Sequence, residues 1–399
     1  MVKMTGGFGP ISISELTGLL SQVAAHQAQQ LQHAVLHDVQ YRAGHYYAIA
    51  EVHAHPPDAP TRKIYYGLTT ANVPAEAHGH HATVAGTNIF VWQHPTDPLL
   101  PGLGLAATPT QVQRHFAPNR ELTGLHTVIY RPMNRAVFQA QFAPRYPAGL
   151  SETLFLKVLR AGEAQPLYTL HWLLAAAGVP VVEPVTPPVA DVLALAGGHG
   201  MPLGEYTRME GVKNRFDPLE LVDILDRFPP QVMQLPHRPS WADRHHEFIR
   251  AAQVAMPHQH DRLQRLGARL ERAHQGLALG PLVPTHGDLY EAHILIEPVT
   301  GRVRHVLDVD GAGPGYRVDD FACLIGHLAV LGYRDPTPWG WQAAMRTFNR
   351  LTPHANPKTL AVRAAAVVVS LIPSYQPDDE ARSRGEAYLD RAEALLQLA

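Results

Sequence analysis

The residues of this chain best placed to do chemistry lie in Thr285-His286-Gly287-Asp288-Leu289-Tyr290-Glu291-Ala292-His293-Ile294-Leu295-Ile296 and, after a short gap, Val306-Leu307-Asp308-Val309-Asp310. The apolar runs Ile294 to Ile296 and Val306 to Leu307 read as two short buried strands. Glu297 to Arg304, with Pro298 and Gly301, reads as the turn between them. A hairpin of this kind brings Asp288, on the loop entering the first strand, close to Asp308 at the end of the second. Two converging carboxylates can hold Mg²⁺, a hard cation that takes oxygen ligands and substrate phosphates. Acidic residues also serve as turn caps and solvated strand ends, so the pattern around the pair matters.

That pattern resembles the aminoglycoside phosphotransferase and choline kinase group, which has the protein-kinase-like fold. The family sequence runs His-Gly-Asp, four residues, Asn, a hairpin and a second Asp. Here His286-Gly287-Asp288 and Leu307-Asp308 match it, while His293 stands at the Asn position. A Gly-containing loop and an Asp-Leu-Ala helix start follow in the family, and Gly313-Pro314-Gly315 and Asp320-Phe321-Ala322 follow here. The resemblance implies an α+β, two-lobed fold with a small β-rich N-lobe and an α-rich C-lobe. It also implies transfer of a phosphoryl group from ATP or GTP, with Mg²⁺, to a hydroxyl of a small molecule such as a sugar, an amino sugar or an aminoglycoside-like compound. In that scheme Asp288 acts on the acceptor hydroxyl and Asp308 holds Mg²⁺, with Asp310 as an additional or outer ligand. His286 supports the loop backbone. His293 has two outcomes: it swings away and water completes the Mg²⁺ shell, or its nitrogen ligates a metal such as Mn²⁺ or Co²⁺; the expectation here is the first. The same departure motivates an alternative, a pseudokinase that binds nucleotide or a partner without turnover.

The remaining parts must position these groups. Ser14 to Ala34 reads as an amphipathic helix. Val39 to His53 and Lys63 to Leu68 read as strands joined at Pro56, Pro57 and Pro60. The shape recurs in Val128 to Phe142 and Thr153 to Leu159 around Pro144, Pro147 and Gly149, which suggests an internal repeat. Aligned by sequence, Gly67 faces Lys157. In the kinase-like fold a lysine on this strand pairs with the nucleotide phosphates, a role the resemblance gives to Lys157; the other reading is an edge-strand lysine in solvent. The first copy then belongs to an N-terminal α/β cap, of the kind that precedes the core in maltokinase-like relatives. Between the copies, His78-Gly79-His80-His81 lacks a known ligand spacing and reads as a solvated loop.

Gln165 to Ala177 is predicted helical and Val192 to Ala196 a strand, with a hinge near Leu195 to Gly198. From Asp217 on the pattern is helical. Leu263, Leu266 and Leu270 mark a helix from Asp261 to Leu277, expected to pack under the catalytic loop. Asp319 and Asp320 open a buried helix, with Asp320 expected to brace the loop from Gly311 to Val318. Helices at Trp341 to Leu351, Lys358 to Ile372 and Asp379 to Leu398 complete the chain. The expected domains are a cap over 1–120, an N-lobe over 121–198 and a helical C-lobe over 199–399.

Composition narrows the classes. Among 399 residues, 46% are hydrophobic and 17% charged, with a formal net charge of −2. Such a balance fits a soluble globular protein and gives no basic footprint for nucleic acid or a membrane surface. A single cysteine, Cys323, excludes an internal disulfide and fits a reducing compartment. Met1 to Pro10 lacks the pattern of a signal peptide, and Arg363 interrupts the most apolar run. A cytoplasmic location is the expectation.

Overall fold

The computed structural model describes residues 8–9, 11–42, 44–55, 60–144, 152–209, 215–335, 338–372 and 379–399. The turn prolines Pro56, Pro57 and Pro147, with Gly149, lie outside these residues, as does most of the segment Met1 to Pro10. The chain forms two compact units, one of residues 1–169 and 184–197, the other of residues 170–183 and 198–399.

The first unit opens with α1 (Ile13–His26), shorter than its apolar pattern implied. Its cap is Ser12, whose side chain accepts from the Glu15 amide while the Glu15 carboxylate accepts from the Ser12 amide. This reciprocal arrangement satisfies two amides that a helix start leaves open. Ala28, at φ 55°, ends the helix run. The residues from Gln30 on, read as helix in the sequence, are strand because Ala34 and Leu36 are needed in the core of a sheet. That sheet holds β1 (Gln30–Arg42), β2 (His45–His55), β3 (Arg62–Thr69), β4 (His80–Val84) and β5 (Thr87–Gln93), in the order β1-β2-β3-β5-β4. His80 and His81 therefore lie on an edge strand, where a loop was expected. The apolar stripe Leu16, Leu19, Leu20 and Val23 of α1 packs against the sheet.

Next come α2 (Leu103–Ala106), α3 (Pro109–Phe116), β6 (Leu122–Arg131), β7 (Arg135–Phe142), β8 (Glu152–Val158), α4 (Ala164–Ala176) and β9 (Val192–Ala196). The four strands form an antiparallel sheet in the order β6-β7-β8-β9, on which α2 and α3 bury Leu103, Val112 and Phe116. Each predicted long strand of the repeat is in fact a hairpin, with Arg42 paired to His45 in the first copy and Arg131 to Arg135 in the second, so the repeat unit is a three-stranded meander. Counted from the hairpins, the rung of Lys157, opposite Val137, corresponds to Thr69, opposite Tyr47, and not to Gly67. Gly67 has a packing reason of its own: a Cβ there would stand 2.2 Å from the Trp92 ring.

The second unit contains β10 (Met201–Pro202), α5 (Leu203–Arg208), α6 (Leu219–Asp226), α7 (His245–Ala255), α8 (His260–His274), β11 (Leu282–Thr285), β12 (Ile294–Ile296), β13 (Val303–Val306) and β14 (Gly313–Tyr316). It ends with α9 (Arg317–Val330), α10 (Trp339–Leu351), α11 (Pro357–Ser370) and α12 (Asp379–Leu396). The predicted hairpin is β12-β13, with Ile294 opposite Val306, and β10 adds a third strand. Gly313-Pro314-Gly315 is a strand, not a loop: it pairs with β11, and a Cβ on Gly315 would meet the Thr285 hydroxyl at 2.6 Å. α11 is the buried centre of the helices, packed on α9, α12, α7 and α8. α8 buries its leucine stripe against α7, α11 and α12, and it is α9 that packs against β11, β14 and the 291–293 turn. Among the described residues, no helix is long and apolar enough to cross a membrane.

Candidate active site

The loop from 286 to 293 is held from below by its own first residue and by α9. His286 is fully buried; its Nε2–H donates to the Leu307 carbonyl at 2.9 Å, and its Nδ1 accepts from the Asp288 amide at 3.2 Å. One imidazole thereby links the loop to the exit of β13. Gly287, at φ 80°, leaves no room for a side chain, since a Cβ would stand 2.4 Å from the Gly311 carbonyl oxygen. Asp320, in the first turn of α9, accepts from the amides of His286 at 2.9 Å and Gly287 at 2.8 Å. It braces the loop at 286–287, in place of the 311–318 loop expected from sequence. Burial pushes its carboxyl up to about 6, against the pull of those two amides.

Above this brace three side chains converge. Asp288, His293 and Asp308 each offer a ligand atom, and these atoms lie within 4.8 Å of one another. Asp308 sits in the left-handed region at φ 56° and ψ 50°, a strained conformation for a residue with a side chain. His293 turns its ring toward the two carboxylates. Its Nδ1–H donates to the Asp288 carbonyl at 2.9 Å, and its Nε2 faces the Asp308 carboxylate at 3.4 Å. The Tyr290 ring packs on it at 4.0 Å. Carboxylate oxygens and one imidazole nitrogen are a donor set that fits a divalent cation. Asp310, on the short turn at Val309–Gly311, is not in this group. Lys157 belongs to the first unit, where β8 lies between β7 and β9; it is on an interior strand and half-buried, not on an edge.

Three features of the site escaped the sequence reading. Trp241 donates its indole N–H to Asp288 Oδ1 at 3.0 Å from 47 residues away. Its segment is pinned by buried Arg363 of α11, which donates to Ser240 at 2.6 Å, to Asp243 at 2.8 Å and to Asp319. Trp241, Asp243, Gly287, Tyr316 and Asp319 line a common pocket. The third feature is Glu291, buried behind His293 with its Oε2 lacking a hydrogen-bond partner and His327 Nδ1 3.8 Å away. Burial raises Glu291 to about 7 and lowers His327 to about 4, so near neutral pH these two are not an ion pair.

Glu291 gives a stability prediction with a definite sign. A carboxyl raised from its ordinary value of 4.5 to about 7 holds its proton more tightly folded than unfolded. Its contribution to stability is full below the unfolded value and is lost as pH rises through the folded one. Glu291→Gln is expected to match the parent near pH 4 and to exceed it at pH 8 by about 3 kcal/mol, read by denaturant unfolding at both pH values. Equal stability difference at the two pH values would refute it.

Residues 147–340 match the model of a family described as the phosphotransferase enzyme family. No curated protein matches the chain. Among solved structures, a putative aminoglycoside phosphotransferase from Ralstonia eutropha is similar at 14% identity, with 73% of this chain and 96% of that one covered and a TM-score of 0.47. A choline kinase from Cryptosporidium parvum is similar at 10% identity, covering 72% and 95%, with a TM-score of 0.45. An aminoglycoside phosphotransferase from Streptomyces rimosus reaches 17% identity over 74% and 98%, with a TM-score of 0.39. With His286-Gly287-Asp288 and Asp308 inside the matched segment, the chain carries, from residue 147 to residue 340, a domain of the phosphotransferase enzyme family.

Proposed function

We propose that this protein transfers the γ-phosphoryl group of ATP or GTP to a hydroxyl of a small molecule, of the class of sugars, amino sugars or aminoglycoside-like compounds. The observation that carries the reading is the convergence of Asp288, His293 and Asp308 on a loop tied down by Asp320. Phosphoryl transfer passes through a loose transition state, so the protein's work is positioning and charge neutralisation. Asp288 orients the acceptor hydroxyl and takes its proton. Asp308 and His293 would hold a divalent cation, Mg²⁺ or a related ion, which when bound neutralises phosphate charge. Asp310, two residues on and outside the converging group, would serve only as an outer oxygen donor, and Lys157 pairs with the nucleotide phosphates.

Trp241 steadies Asp288 through its indole N–H and presents a partly exposed ring beside it. Trp241→Phe keeps an aromatic ring and removes the donor. It is expected to lower kcat roughly tenfold, the order of one hydrogen bond to a charged group, with the KM for nucleotide unchanged. An unaltered kcat would show that the bond does not position the carboxylate.

The reaction is tested by a divalent-cation-dependent screen of ATP and GTP consumption over sugars, amino sugars, aminoglycosides and choline. Consumption with one acceptor class identifies the substrate. Nucleotide binding with no consumption in any of them would replace this reading with a pseudokinase.

A further inference from the structure

The imidazole of His293 has one nitrogen whose role is settled by its partner and one whose role is not. A carbonyl oxygen can only accept, so the 2.9 Å contact from Nδ1 to the Asp288 carbonyl places the ring proton on Nδ1. In the neutral ring Nε2 then presents a lone pair toward Asp308 Oδ2 at 3.4 Å. Two electron-pair donors facing each other at that distance repel unless a cation lies between them, either a metal ion or the second proton of an imidazolium. With bonds of about 2.1 Å to each atom, the 3.4 Å separation subtends roughly 108° at a metal, within the range of ordinary coordination angles. An Nδ1–H donated to a backbone carbonyl is also the usual way a ligating histidine has its tautomer and orientation set. The ring cannot easily turn: it is buried, packed at 4.0 Å on Tyr290, which itself stacks on His327 at 4.3 Å.

We infer that His293 is a nitrogen ligand of the divalent cation and makes this site select a first-row transition-metal ion, such as Mn²⁺ or Co²⁺, over Mg²⁺. This inference rests on the proposed site but not on its reaction. Mg²⁺ favours an all-oxygen shell and keeps its waters, whereas an imidazole nitrogen adds affinity for transition-metal ions. At the same place in the motif an amide oxygen would leave that preference weak.

The test uses the full chain and the metal alone, without nucleotide or acceptor. Mn²⁺ is expected to bind at least tenfold more tightly than Mg²⁺ in a competition titration. Pulsed electron paramagnetic resonance of the Mn²⁺ complex is expected to show ¹⁴N coupling to one imidazole. His293→Asn should abolish the coupling and bring the two affinities within a few-fold of each other. His293→Gln serves as a second variant if the first does not fold, with circular dichroism as the check. Bound Mn²⁺ without nitrogen coupling would overturn the inference and leave His293 as a protonated partner of Asp308. Coupling that survives in the variant would do the same, by moving the nitrogen ligand elsewhere. Nitrogen coupling in a protein that consumes no nucleotide would sustain this inference and remove the proposed reaction; turnover without coupling would do the reverse.

Discussion

Asp288→Asn is expected to lower the rate of phosphoryl transfer by roughly 10²–10⁴-fold, the range for loss of a positioned acid–base group, while nucleotide affinity stays within a few-fold. The substitution keeps the shape and an oxygen for the Trp241 indole, but removes the charge that draws the acceptor hydroxyl and its proton. The backbone of the loop should be undisturbed, because it is held by the Asp288 amide and carbonyl and not by the side chain. The check is single-turnover kinetics beside calorimetric nucleotide binding. If turnover fell and nucleotide affinity fell equally, Asp288 would belong to the nucleotide site and the assignment of roles would be wrong. If turnover were retained, the carboxylate would have no part in the chemistry.

The second large effect is one of stability. Arg363→Ala is expected to destabilise the fold by about 3–5 kcal/mol, the cost of breaking a buried charge pair by removing one partner. Arg363 is 2% exposed and serves Asp319, Asp243 and Ser240 together. Burial pushes Asp243 up, yet the guanidinium beside it holds the carboxyl below its usual range. Without the arginine, Asp319 is left buried without its cation and the segment that carries Trp241 loses its anchor. Denaturant unfolding measures the first consequence. The second predicts a loss of turnover at temperatures where the variant is still folded, and Arg363→Lys, which keeps charge but not the fork of donors, should restore stability only in part. A destabilisation below 1 kcal/mol would show that the three contacts are solvent-shared and weak.

The two carboxylates were legible in the sequence because the elements that place them are local. Asp288 and Asp308 flank one short hairpin whose first strand is an uninterrupted apolar run and whose turn is marked by Pro298 and Gly301, although its second strand, Val303–Val306, starts earlier than the apolar pair Val306-Leu307 suggested. The leucine stripe of α8 was legible for the same kind of reason, one face at helical spacing. Where a boundary slipped, a non-local demand had overridden local pattern. Residues after Gln30 continue a helix-like composition but supply an edge strand of the sheet, and Gly313 to Gly315 look like a loop until Thr285 is seen to need the missing side chain of Gly315.

What tertiary structure alone decided is the company these groups keep. The indole on Asp288 comes from 47 residues upstream, the carboxylate under the His286 and Gly287 amides from 34 and 33 residues downstream, and the arginine behind Trp241 from 123 residues beyond Ser240. No periodicity connects residues that far apart. The same holds for Glu291 and His293: their types are plain in the sequence, but the burial that raises the Glu291 carboxyl to about 7 and the carbonyl that holds a proton on His293 Nδ1 exist only once α9 and the loop are packed together. Residue identity determined which chemistry was available, and desolvation and hydrogen-bond geometry, which need the folded chain, decided which atoms face the site and in what protonation state.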